Sequence, residues 1–244
     1  NLDRPVLTQD ANQAAKSPKE WLFTKYDALG RVAYTGVYKD DKKRSDMQRD
    51  HFNAKTEIEK YETKVISGNG YDNSYYTNAD FPTTNLEILT ITYYDNYFFD
   101  KAALTLPTQS YSVPILNHNN TDPIQTKSLN TGNRVKVLGT NDWITTITGY
   151  DKKSRPIYIA SKNEYLNTTD IIESKLDFVG KAEETTSRHI KGNNTPIVTI
   201  DIFDYDHMGR LLTQKQTIGN HEETIVSNSY DKSSNLAAID NGTT

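Results

Sequence analysis

The chain has no cysteine among its 244 residues, which excludes disulfide bonds, thiol catalysis and zinc sites built on cysteine. It also lacks an apolar run of the roughly 18 residues that a membrane-spanning helix needs, so we expect no membrane span in this segment. Basic residues are not in excess, because the chain has 28 Lys and Arg and 32 Asp and Glu. Without a broadly basic surface, nucleic acid is not expected as a partner.

Catalytic signatures are missing as well. The sequence contains no phosphate loop, no GxGxxG fingerprint and no nucleophile elbow. None of the five histidines has a spacing typical of metal ligands, and they are His51, His118, His189, His207 and His221. We therefore predict no catalytic, cofactor-binding or metal-binding residues, and no cofactor. The aspartates that recur in the sequence are interpreted as turn residues, whose carboxylates are not expected to act as general bases.

The residues that are abundant favour β-structure. There are 16 Tyr and 7 Phe, together with many Thr, Ile and Val, and these side chains suit the half-buried surface of a pleated sheet. Only 35% of the residues are hydrophobic, so the chain is polar, but its aromatic content is not that of a disordered segment.

A short motif recurs along the chain. The template YDxxGR appears at 26–31 and 205–210, with weaker copies at 150–155 and 230–235 and a degenerate copy at 176–181. A truncated copy, Leu2-Asp3 followed by Arg4-Pro5, opens the chain. Copies follow one another at 24–29 residues, except for the step from Tyr26 to Tyr150. Such a fixed period indicates a repeat architecture with one insertion.

Each copy reads as a β-hairpin. An alternating strand leads in, Asp starts the turn by accepting local backbone N–H groups, and Gly supplies the left-handed residue that closes it. Where Ser154 or Ser234 replaces this Gly, we expect a different or looser turn. Because a lone hairpin is marginal in water, the hairpins should pair sideways into one long sheet. The fold class predicted is mainly β, a long antiparallel sheet of repeated hairpins with one helix-containing insertion.

The insertion has a helical signature. Ser45 and Gln48 fit a capping box, and Met47, His51, Ala54, Ile58 and Tyr61 fall on one helical stripe. We predict a helix over about 46–62 whose stripe faces the sheet, with His51 packed in it. Glu87 to Tyr94 alternates as a strand, 117–131 reads as a loop, and a strand resumes at 133–138. The predicted organisation is hairpins over 1–38, an insertion over 39–132 and hairpins over 133–244.

The repeats resemble those of the bacterial RHS/YD-repeat family, in particular its secreted, Tyr-rich members of Bacteroidetes type. The strings that carry the resemblance are 21–31, 81–84, 93–97, 132–139 and 205–212. The resemblance implies a spiralling sheet that closes into a shell, which in many members encloses a C-terminal toxin. Family shells that cut themselves use paired Asp residues near a DPxG-type motif, and Asp122-Pro123-Ile124-Gln125 does not match it.

The resemblance implies a non-enzymatic role as a wall segment of a secreted or cell-surface bacterial shell that encloses or presents a C-terminal effector. Since the chain begins at Asn1 and not at Met, we expect it to be an internal fragment or a processed product. Its partners would then be neighbouring repeats and the cargo of the same polypeptide. The first alternative is a cell-surface, adhesin-like module that binds glycans through exposed Tyr and Asn/Thr loops. An enzyme is the second alternative.

Overall fold

One long antiparallel sheet organises the molecule. The computed structural model describes residues 4–53, 60–122, 124–231 and 236–240, and within these ranges thirteen strands pair in chain order. The strands are β1 (Leu7–Thr8), β2 (Glu20–Tyr26), β3 (Val32–Lys39), β4 (Leu86–Tyr94), β5 (Gln109–Ser110), β6 (Val113–Pro114), β7 (Asn130–Lys136), β8 (Trp143–Tyr150), β9 (Pro156–Asn163), β10 (Thr168–Leu176), β11 (Ala182–Lys191), β12 (Ile197–Tyr205), β13 (Leu211–Ile218), β14 (His221–Tyr230) and β15 (Leu236–Asp240). Strands β5 and β6 form a separate two-stranded ribbon, so the predicted mainly β, hairpin-built fold is confirmed.

The hairpins turn where the motif predicts. The Gly30 N–H donates to the Asp27 carbonyl, and the Gly209 N–H does the same to Asp206. In each hairpin the register shifts directly before the motif Tyr or its equivalent, as between Lys25 and Tyr26. Such a bulge bends the strand and increases its twist. The shifts recur in the pairs β4–β7, β8–β9, β10–β11, β12–β13 and β14–β15.

The turn at Ser154 corrects one expectation. Ser154 has a φ of +60°, and its N–H donates to the Asp151 carbonyl at 2.8 Å, as Gly does in the other copies. The turn is therefore neither different nor looser. The buried Asp151 carboxylate accepts the N–H groups of Lys153 and Arg155, and these bonds offset the cost of a non-glycine residue in the left-handed region. The corresponding prediction for Ser234 lies outside the described residues.

Two chain segments cover one face of the sheet. The first, 40–85, joins β3 to β4, and the second, 95–129, joins β4 to β7. Their tyrosines reach down to the sheet, where Tyr76 OH donates to the Thr92 carbonyl and Tyr97 OH to the Thr148 carbonyl. Because β4 itself is a full member of the sheet, the sheet continues through the predicted insertion. The domain boundaries at 39 and 132 stay a prediction.

The helix of the insertion is shorter than predicted. A four-residue helix α1 (Ala11–Ala14) precedes β2, and helix α2 spans Arg44–Asn53. The Lys43 carbonyl accepts the first helical bonds, so Ser45 lies inside α2 and is not its N-cap. Met47 is buried in the core as predicted, whereas Tyr61 is not helical. The helix cannot reach 62, because Glu62 forms a β-bridge with Asp27 and its side chain lies buried against the sheet.

Ala54, Ile58 and the side chain of His51 lie outside the described residues.

The core lies where the covering segments meet β2–β9, and it includes Phe23, Tyr34, Tyr76, Ile91 and Ile147. In the described ranges, none of the helices has the length and apolar character that crossing a membrane requires.

Candidate functional site: the edge formed by the repeat turns

The recurring Asp is bonded to its own turn. In three copies the Oδ1 atom accepts the N–H groups of the residues two and four positions later, and the Oδ2 atom accepts the Nε–H of the Arg four positions later. The distances lie between 2.6 and 2.9 Å, for Asp27, Asp151 and Asp206. This pattern explains why Asp and Arg stand four residues apart, since one carboxylate binds both the turn backbone and the guanidinium.

These bonds keep the Asp151 and Asp206 carboxylates ionised. The backbone N–H and guanidinium of Arg210 lower the pKa of Asp206 to about 2. Burial of Asp151 opposes ionisation, but the side chain and backbone N–H of Arg155 outweigh it and hold the pKa of Asp151 below its usual range. The Asp151 carboxylate is also largely shielded from solvent, since its side chain is only 3% exposed. A carboxylate whose pKa is lowered in this way is a poor general base near neutral pH.

The recurring Tyr reaches backward to the preceding hairpin. Tyr205 OH donates to the Ala182 carbonyl at 2.9 Å, Tyr230 OH to the Leu211 carbonyl at 2.8 Å, and Tyr26 OH to the Pro5 carbonyl at 2.9 Å. Ala182 and Leu211 are the first residues of the strands that follow the previous turns, and Pro5 lies two residues before β1. Each of these phenols thereby contacts the preceding repeat.

The basic residue that ends each motif reaches forward to the next one. Arg31 lies 4.2 Å from the ring centre of Tyr94, and Arg210 lies 4.3 Å from that of Tyr230. Longer contacts join Arg4 to Tyr26 and Lys181 to Tyr205. Where Leu176 replaces the Tyr, Arg155 instead donates to the Asp177 carbonyl at 2.9 Å. Cation–π contacts of this kind contribute about 0.5–1 kcal/mol each at exposed sites.

The recurring Gly has a second role besides its left-handed conformation. A Cβ atom added to Gly30 would lie 2.0 Å from Arg4 Nη1, and one added to Gly209 would lie 1.8 Å from Lys181 Nζ. The basic group of the preceding motif therefore occupies the space beside each Gly. We call the set of basic residue, following Tyr and following Gly the inter-hairpin clasp.

Arg31 and Arg210 differ in their acidic partners. Arg31 binds both carboxylate oxygens of Asp95 at 2.7 and 3.0 Å besides its own Asp27. Arg210 pairs with Asp206 of its own turn through Nε and Nη2.

A further copy of the repeat is interrupted in the sequence. The Asp95 N–H donates to the Leu129 carbonyl, the bond that Asp27 makes with Arg31. Ser128 has a φ of +68°, like the turn Gly of the other copies, and its N–H donates to Asp95 Oδ1. Residues 96–127 thus stand where two residues stand in the other turns. Tyr94 and Asp95 therefore begin a further copy of the motif, whose second half starts 30 positions later than in the other copies.

Two lysines, the buried Lys25 and the half-buried Lys64, fix the covering segments to the sheet. Lys25 and Glu62 form an ion pair at 2.9 Å with both side chains fully buried. Glu62 also accepts the N–H groups of Ala79 and Asp80. Lys64 donates to the Tyr94 carbonyl and to Asn96 Oδ1, and burial lowers its pKa to about 7. Sequence reasoning missed both lysines, because their partners are distant along the chain.

The histidines whose side chains the structure describes do not form a cluster. His189 contacts Asp170 across two strands on the exposed part of the sheet, and His118 is exposed. Among the residues that the structure describes, no three His, Asp or Glu side chains come together as a metal-binding group. Asp122 of the unmatched Asp-Pro pair accepts the N–H of Ile124 and belongs to a local turn.

Comparison of the chain with models of known protein families gave no match, and a search of curated proteins gave no significant match. The fold and the clasp geometry are therefore the observations on which a function has to be based.

Proposed function

We propose that this chain is a non-catalytic wall segment of a larger secreted shell of the RHS/YD-repeat type, one that encloses or presents a polypeptide effector. The observation that carries the proposal is the inter-hairpin clasp. Its polar groups, which would be the natural candidates for a site, are instead committed to neighbouring hairpins. A motif whose polar groups bind the neighbouring units is typical of a repeat protein, because a single unit cannot bury its own apolar face.

The clasp also has a direction. In four places the basic residue of one turn contacts the Tyr of the next turn along the sheet, and Arg155, which Leu176 follows in place of a Tyr, bonds the next turn through the Asp177 carbonyl. Arg4 makes this contact before the first complete hairpin, so the pattern is already present at the start of the described chain. Further hairpins of the same kind would extend the sheet without any new type of contact. This property suits a long wall.

The proposal is tested on the natural full-length chain that contains these 244 residues. We expect the polypeptide that follows the repeats to resist protease while the wall is intact. A Gly209→Val substitution should open the clasp between β11 and β12 and expose that polypeptide to cleavage. The control is Asn193→Ala, at an exposed turn on the opposite edge. Equal cleavage of the following polypeptide in the unmodified, Gly209→Val and control proteins would contradict the proposal.

A glycan-binding module is the second candidate function. The motif tyrosines do not support it, because their rings and hydroxyls contact neighbouring hairpins. A cleft away from the clasps favours it, since the half-buried Trp143 lies there beside the buried Arg134. This function is tested by probing a glycan array with the whole chain and with a Trp143→Ala variant. We expect the whole chain to give a binding signal that the variant loses.

A further inference from the structure

Lys25 occupies a position where a lysine is rarely found. It lies on the covered face of β2, two residues after the core residue Phe23, and its side chain is fully buried. Lysine is almost never fully buried unless it is paired, and a buried ion pair is often no more stabilising than apolar residues of the same size. Stability alone therefore does not explain why an amine stands here.

The Lys25 amine contacts an amide and a carboxylate at the same time. Its Nζ atom donates to Asn78 Oδ1 at 2.9 Å and to Glu62 Oε1 at 2.9 Å. Because the Asn78 Cγ atom is one bond from Oδ1, it lies within about 4 Å of Nζ. The Asp80 carbonyl also accepts from Nζ, and the Tyr34 ring centre lies 5.8 Å away. The fold therefore holds an amine, an amide carbon and a proton acceptor together in a buried site.

These three groups are the components of an amide-forming reaction. A neutral amine is a nucleophile, and a neighbouring base that takes its proton activates it. Glu62 can be that base, since its Oε1 atom accepts from Nζ. Burial disfavours the charged forms of both groups, so proton transfer from Lys25 to Glu62 costs less here than in water. Groups held in reacting geometry reach effective concentrations of about 10⁵–10⁸ M, which offsets the low reactivity of an amide.

We propose that Lys25 and Asn78 become joined by an intramolecular amide bond, formed with the help of Glu62. Glu62 takes one proton from the ammonium group, and the free electron pair of Nζ attacks Asn78 Cγ. The Nζ–Cγ bond forms, the Cγ–Nδ2 bond breaks, and Nδ2 leaves as an ammonium ion with the two protons that Nζ has lost, one of them passed on by Glu62. The ion pair of Lys25 and Glu62 is the arrangement before this reaction. The product joins β2 covalently to the covering segment 40–85.

Further contacts of the amide suit the reaction. The Tyr34 hydroxyl lies 3.4 Å from Asn78 Oδ1, where negative charge develops during the attack. Asn78 Nδ2 donates to the Thr83 carbonyl at 2.8 Å, which fixes the orientation of the amide. The Asn78 side chain is half-buried, so the released ammonium ion can reach solvent. The proposal does not depend on the wall proposal, because no clasp residue takes part.

Lys64 provides a comparison within the same chain. Its Nζ atom donates to Asn96 Oδ1 at 2.6 Å, the same type of contact that Lys25 makes with its asparagine. Its other acceptors are the Tyr94 and Asn96 carbonyls, and neither is a carboxylate. Although burial lowers the pKa of Lys64 to about 7, no group corresponding to Glu62 contacts this amine to protonate the leaving nitrogen. We therefore expect no bond between Lys64 and Asn96.

The test is mass spectrometry of the whole chain, before and after unfolding and digestion with trypsin. The intact chain should be lighter than its sequence by the mass of one ammonia molecule. Trypsin does not cut after an acylated lysine, so the bond should give a linked product of residues 20–31 and 65–101. This product should also lack one ammonia relative to its two peptides. Cleavage after Lys64 releases residue 65 and shows that the Lys64 amine is free.

Variants identify the participating groups. Asn78→Ala removes the attacked amide and Glu62→Gln removes the proton acceptor, so both should have their full sequence mass and no linked product. Asn96→Ala is the matched control and should retain the linked product, and circular dichroism establishes that each variant is folded. The proposal is overturned if the unmodified chain has its full mass and is cut after Lys25. It is also overturned if ammonia is lost within 65–101 alone, as a succinimide at Asn69-Gly70 would give, or if folded Glu62→Gln still forms the linked product.

Discussion

Replacing Gly209 by Ala separates the two roles that we assign to the motif glycine. The first role is conformational, because Gly209 has a φ of +78°, where a residue with a Cβ costs about 1–2 kcal/mol. The second is spatial, because the new Cβ would lie 1.8 Å from Lys181 Nζ. A lysine end is flexible and would move away, so the additional cost is the loss of its contacts and not a rigid clash.

The size of this second cost follows from what Lys181 binds. Its Nζ donates to the Gly209 carbonyl at 2.9 Å, and charged hydrogen bonds contribute about 1.5–3 kcal/mol. It also lies 5.1 Å from the Tyr205 ring centre. Because water partly replaces these contacts when the lysine swings out, we expect Gly209→Ala to lower the free energy of unfolding by about 2–4 kcal/mol in total.

Gly219 supplies a matched control. It also has a positive φ, of +62°, but an added Cβ would meet no atom within 4 Å. Gly219→Ala should therefore show the conformational cost alone, about 1–2 kcal/mol. In a Lys181→Ala background, the loss of unfolding free energy caused by Gly209→Ala should decrease to the same value. Urea denaturation at constant m-value measures all four variants. A difference between the two glycine variants below about 0.5 kcal/mol, with no coupling to Lys181, would refute the spatial role.

The remaining predictions concern the phenols and the buried ion pair. Tyr205→Phe removes the bond to the Ala182 carbonyl and should destabilise the chain by about 1 kcal/mol in urea denaturation, whereas Tyr165→Phe, at an exposed position, should have no effect. Glu62→Gln leaves the buried Lys25 without its anion and should cost about 3–5 kcal/mol, measured in the same way; a loss below 1 kcal/mol would contradict it. Burial raises the pKa of Tyr34 in the folded chain, so this contribution to stability is complete below pH 10 and is lost as the pH rises further. The phenolate absorbance that a Tyr34→Phe variant lacks should then appear together with unfolding, and its appearance in the folded chain would disprove this.

The hairpin positions could be predicted from the sequence because each turn is a local structure. Asp27 binds groups only two and four residues away, so the information for the turn lies within six consecutive residues. Sequential pairing then follows from the marginal stability of single hairpins. Predicting the clasp from the sequence requires one further step. Once the hairpins pair in order, the basic residue of one motif lies beside the Tyr of the next.

The interrupted copy at Tyr94 shows why a motif search fails. Its Asp and its turn-closing Ser128 are 33 positions apart, so no template of fixed length contains both. The usable signal is the alternating strand that ends at Tyr94-Asp95. Tyr71-Asp72 carries the same pair but follows no strand, and it forms no repeat turn. The partner of Lys25 could not be predicted at all, because Glu62 is 37 residues away within a segment without periodic pattern.

The clasps matter most where the sheet has least core. Within the described residues, every fully buried hydrophobic side chain lies at or before Ala160, under the two covering segments. Strands β12 and β13 instead leave Ile197, Ile202 and Ile218 between 38% and 59% exposed. Apolar burial cannot hold these strands strongly by itself, so backbone pairing and the clasps at Tyr205 and Tyr230 carry a larger share of their stability.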